Sequence, residues 1–135
     1  MNCGLGSLDK KKNIFKNLQI IKKKMRFTAK KIILLNQSHS NKFHYISKKL
    51  RLQDNRFDGD ALITNKPNTP IGILTADCAP ILMLDDKNKM IAAVHVGWKG
   101  TYKDIIKKVI KFMKKKGCVT QDITAVIGPC ISIKN

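Results

Sequence analysis

One stretch dominates what this chain can become: PIGILTADCAPILMLDDKNKMIAAVHVGW, residues 70–98, carries three apolar bursts separated only by TADCAP and DDKNK. Continuous apolar runs of that length suit strands buried on both faces, and DDKNK suits a turn between two of them. A sheet is therefore the expected centre of the fold. Upstream, KIILL (31–35), FHYI (43–46) and, after the turn-rich NRFDGD, ALIT (61–64) read as further short strands. ITAVIGPC (123–130) is one more.

Two segments change to helical period. Over residues 10–25, Ile14, Phe15, Leu18, Ile21 and Met25 share one stripe while the lysines lie mostly elsewhere, with Ser7 or Asp9 as candidate N-cap. Over 102–116, Tyr102, Ile105, Ile106, Val109, Ile110 and Met113 share a face, Lys103, Lys107, Lys111 and Lys114 take the other, and Gly117 is a natural stop. Helix, strands, helix and strand give an α/β class, an α+β layered sandwich with a mixed central sheet flanked by amphipathic helices. The 135 residues, 43% hydrophobic, suit a single domain over 1–135, and no repeat or linker divides them.

Charge is the unusual part of the composition. Lys and Arg number 27 against nine acids, a formal +18, which points towards nucleic acid or an anionic surface. Yet 24 of the 27 are Lys, the chain is also rich in Ile and Asn, and Glu is absent, a pattern that AT-rich coding produces whatever the protein binds. Eight of the bases fall between Lys99 and Lys116, mostly on one solvated helix face. Aromatics are only 6% and are not interleaved with them, so nucleic acid is not the expected partner. Any carboxylate acting as general acid or base must be an Asp. Cys3, Cys78, Cys118 and Cys130 are scattered without a CxxC and read as reduced thiols. With no apolar signal segment at the start and no run of about 20 apolar residues, a cytoplasmic location away from membranes is expected.

P-loop, GxGxxG, GxSxG and HExxH motifs are absent, and GWKGT lacks the spacing of a phosphate loop. Chemistry-bearing side chains instead sit at the ends of apolar strands: His39 in LLNQSHS, Asp77 and Cys78 in LTADCAP, His95 in AAVHVGWKG. Imidazole and thiolate are the ligands zinc favours, and three protein ligands leave a fourth position open. Separations of 39 and 17 residues match no local metal motif, so only the fold can unite the three. Singly, Cys78 also reads as a buried small hydrophobe and His95 as a hydrogen-bonded core histidine.

The blocks NQSHS, DGDALIT, ILTADCAPIL, IAAVHVGWKGT and IGPCI resemble the signature of the laccase-domain family, from MNCGLGS to IGPCISIKN. Its members were named multicopper polyphenol oxidases, are now regarded as purine nucleoside phosphorylases with adenosine deaminase side activity, and include peptidoglycan editing factors. The resemblance implies that His39, Cys78 and His95 are metal ligands, for zinc first and copper as the alternative, and that purine nucleoside and phosphate are the substrates. Cys78 must then be a thiolate. Asp77, beside it, becomes the candidate for proton transfer to the departing purine, with a strand-end turn residue as the competing reading. Lys99 stands where the family usually has Arg; it meets phosphate as a point charge without a bidentate fork, so looser anion positioning is expected. His44 is left out, because strand positions of odd separation face opposite sides.

The resemblance further implies a chain shortened at both ends relative to the family, hence an incomplete sheet with exposed strand edges. A monomer or homodimer is expected. Three other readings compete with the phosphorylase: a copper-dependent polyphenol oxidase, a basic nucleic-acid-binding module, and an inactive piece of the domain that keeps the ligand strands.

Overall fold

The computed structural model describes residues 2–4, 6–26, 28, 31–47 and 57–132. Its centre is a five-stranded mixed sheet built from β1 (Phe43–Ile46), β2 (Ala61–Thr64), β3 (Ala79–Asp85), β4 (Met90–Val96) and β5 (Ile123–Ile127), in the order β1-β2-β4-β3-β5. β1 and β2 are parallel; every other pairing is antiparallel. The helices are α1 (Lys11–Lys24), α2 (Trp98–Tyr102) and α3 (Ile105–Lys115).

β4 holds the sheet together. It pairs with β2 and β3 at once, placing Val94 between Ala61 and Ile81 and Ala92 between Ile63 and Met83. Those six residues share one face and meet Ile105, Val109 and Met113 of α3, with Met90 and Cys118, in the main core. Phe112 of α3 extends it onto Phe43 and Tyr45 of β1, with ring centroids 5.1 and 5.0 Å apart. On the other face Leu62 packs with Ile33, Leu35 and Ile46 in a second cluster. The lysines of α3, Lys107, Lys111 and Lys114 among them, remain exposed as a solvated helix face.

Several sequence expectations need correction. KIILL and PIGIL form no regular strand; Ile33 and Ile71 instead make an isolated parallel bridge. Burial on both faces holds for β4, but in β3 Leu82 and Leu84 are exposed, and Val126, opposite Leu82 on β5, is exposed too. α1 buries Ile14 fully while Phe15 and Met25 are exposed. Its cap is Lys10 rather than Ser7 or Asp9; Asp9 accepts instead from the Lys10 amide and the Asn13 side chain. The expected helix 102–116 breaks at Asp104, which adopts φ 58, and Tyr102 falls on α2 and is 85% exposed. Periodicity could not show this break, because Asp enters the left-handed region more readily than most residues. Gly117 ends α3 with φ 98, as expected. Of the NRFDGD turn, Asn55 and Arg56 lie outside the described residues. No helix among the described residues is long and apolar enough to cross a membrane.

The β3–β4 turn is fastened by Asp85, which is fully buried and accepts bonds from the Asn88 amide and side chain, both 2.9 Å. Its carboxyl lies below its ordinary value because the Asn88 amide bond outweighs the upward push of burial. Burial, reinforced by Asp85, pushes the Cys118 thiol up to about 11. Cys118 should therefore resist a thiol reagent at pH 8 until the protein is unfolded, whereas exposed Cys130 reacts in the native state; mass spectrometry of the labelled peptides reads the difference. Met113→Ala, opening a cavity in the main core, should cost about 2–5 kcal/mol in urea unfolding, against less than about 0.5 kcal/mol for exposed Lys111→Ala.

Candidate metal centre

Antiparallel pairing brings the C-terminal end of β4 beside the N-terminal ends of β2 and β3. Each of those ends carries a polar group. His95 is the penultimate residue of β4, Cys78 immediately precedes β3, and Asp60 immediately precedes β2. β1 runs parallel to β2, so the loop leading into it, with His39, arrives at the same edge.

There His39, Cys78 and His95 gather with their ligand atoms within 4.8 Å of one another. Cys78 Sγ lies 3.6 Å from His39 Nε2, and the two imidazoles meet edge to face at 4.8 Å. His95 is 4% exposed, Cys78 half-buried and His39 exposed, so the group opens to solvent on the His39 side. His39 has φ 56, left-handed backbone that a non-glycine residue rarely adopts.

Asp60 supplies what holds it there. Fully buried, its carboxylate accepts from the His39 amide at 3.0 Å, the Ser40 amide and hydroxyl at 2.6 Å each, and His95 Nδ1 at 2.8 Å. Burial pushes the carboxyl up, but bonds from the Ser40 hydroxyl, His95 and the Ser40 and Ser38 amides outweigh it and leave it below its ordinary value. An ionised carboxylate can only accept, so Nδ1 of His95 is the donor in this bond.

This donor set fits a metal ion. Tetrahedral zinc with bonds of about 2.3 Å to sulfur and about 2.05 Å to nitrogen sets those atoms about 3.6 Å apart; Cys78 and His39 stand at that spacing. A ligand histidine whose other nitrogen binds a carboxylate is the usual orientation device at metal sites.

The structure thus unites His39, Cys78 and His95. Asp77 has an exposed side chain, and its carbonyl accepts from the Ile131 amide at 2.9 Å. Lys99 lies on α2 with its ammonium 5.4 Å from the Trp98 ring centroid. Among the described residues neither side chain is hydrogen-bonded to the three. His44 is elsewhere, with Nε2 bonded to the Asp58 carbonyl at 2.9 Å. Sequence reasoning missed Asp60, although it lies in the DGDALIT signature block directly before the apolar ALIT run.

Gly97 closes the group from beneath. A Cβ there would lie 2.7 Å from His39 Cδ2 and 3.0 Å from Cys78 Sγ. Since the exposed His39 ring can swing aside, Gly97→Ala should leave the unfolding midpoint nearly unchanged while weakening zinc binding on the order of tenfold, measured by chelator competition.

A Clostridium acetobutylicum protein named purine nucleoside phosphorylase is 47% identical over 105 residues, covering 76% of this chain and 42% of that protein. A Bacteroides thetaiotaomicron protein of the same name is 32% identical over 139 residues, covering 98% of this chain and 52% of its own. The chain spans about half the length of the curated relatives it matches. Among solved structures, the Bacillus licheniformis hypothetical protein YfiH superposes with a TM-score of 0.89 at 26% identity, over 96% of this chain and 51% of that one. The model of the family described as multi-copper polyphenol oxidoreductase laccase matches residues 1–135, and the chain belongs to that family.

Proposed function

We propose that this chain carries the zinc centre of a purine nucleoside phosphorylase, which converts adenosine, inosine or methylthioadenosine and phosphate to free base and ribose 1-phosphate. The observation that supports the reading is the His39, Cys78 and His95 cluster, taken with the names of the relatives. Copper is the alternative ion, and adenosine deamination is included as a second activity of the same centre.

In this reading His39, Cys78 as thiolate and His95 hold the ion, and the open side of the cluster receives substrate. When bound, the ion would lower the pKa of a water on it, as deamination needs, or orient phosphate and ribose for reaction at the anomeric carbon. Lys99 contributes a point charge for phosphate. As a phosphate oxygen bonds the anomeric carbon and the bond to the purine nitrogen breaks, Asp77 passes a proton to the departing base. Polyphenol oxidation at several copper ions is less well supported. The chain has three histidines, two of them in this one cluster.

Incubating the purified chain with zinc, inosine or adenosine, and phosphate should release free base, detected chromatographically. Cys78→Ala and His95→Ala should abolish release, and Asp77→Asn should slow it by about 10²–10⁴. Wild-type rates in both ligand variants would show that the centre is assigned wrongly.

A further inference from the structure

The cluster draws its side chains from three separate segments, and one buried group ties two of them together. Asp60 sits opposite His95 in the continuation of the β2–β4 ladder, where the His95 amide donates to the Asp60 carbonyl at 2.8 Å. Its side chain repeats that connection. Oδ1 accepts from both His95 Nδ1 and the His39 amide, while Oδ2 is taken by the Ser40 amide and hydroxyl and, at 3.4 Å, the Ser38 amide. Burying a carboxylate is poor value for stability alone, since apolar replacements of buried charges are often neutral or stabilising. Here no lysine or arginine is bonded to it among the described residues; its partners are the two ligand histidines and the serines on either side of the first.

We propose that Asp60 is the positioning residue of the metal centre: through Oδ1 it fixes His95 as the Nδ1–H tautomer and holds the His39 turn, so both imidazoles face Cys78 before an ion arrives. This rests on the metal-centre reading above. The inference is specific to a carboxylate. Asparagine matches its size but offers one acceptor oxygen where the carboxylate uses two, so its NH₂ must confront either the Ser40 amide or the histidine side. Ser40→Ala removes only one donor to Oδ2 and leaves both Oδ1 bonds in place.

Two measurements on the full chain test this. Long-range ¹H–¹⁵N correlation of the metal-free wild type should find His95 as the Nδ1–H tautomer, and Asp60→Asn should shift it towards a mixture with Nε2–H. Zinc affinity by chelator competition should fall about 10–100-fold in Asp60→Asn and far less in Ser40→Ala, with circular dichroism reporting that the variants are folded. His95 found as Nε2–H in the wild type overturns the inference even if Asp60→Asn fails to fold. Folded Asp60→Asn binding zinc within about twofold of wild type overturns it too, while leaving the metal centre intact. A wild type that binds no zinc removes the metal-centre reading and the inference with it.

Discussion

The antiparallel pairing of β4 with both neighbours is the constraint on which the rest of the structure depends. Because β4 runs against β2 and β3, its last residues share an edge with their first ones. Residues distant in the chain thereby become neighbours through backbone hydrogen bonds alone. The same pairing aligns Ala61, Ile81, Ala92 and Val94 on one face, where α3 covers them. Fold stability and site geometry thus share one ladder, and disturbing the register of β4 would displace both.

Polar groups at that edge follow a consistent physical logic. A buried carboxylate is costly unless its oxygens are fully used, and Asp60 meets five donors at hydrogen-bonding distance. Asp85 solves the same problem at the opposite end of the sheet by fastening a turn through Asn88. The two acids share a chemistry and differ in what surrounds them: one faces imidazoles and an opening to solvent, the other a buried thiol. Environment separates a group at a candidate metal centre from one that serves only the fold.

Outside that edge the molecule is plainer. Lys107, Lys108, Lys111, Lys114 and Lys115 form the exposed face of α3. Leu82, Leu84 and Val126 leave one part of the sheet apolar and exposed. The relatives are about twice as long as this chain, and the family match nonetheless extends across all of it.

By itself the sequence determined the sheet class, FHYI and ALIT as strands, the DDKNK turn, the α3 core face and Gly117 as its stop. Those depend on local period and turn chemistry, which neighbours in the chain impose. The signature blocks also singled out His39, Cys78 and His95. Whether the three meet, that α2 and α3 part at Asp104, and that Asp60 joins two histidines were decided only by tertiary structure. Gaps of 39 and 17 residues carry no spacing rule, and a carboxylate at a strand end looks like a turn residue until the opposite strand brings an imidazole to it.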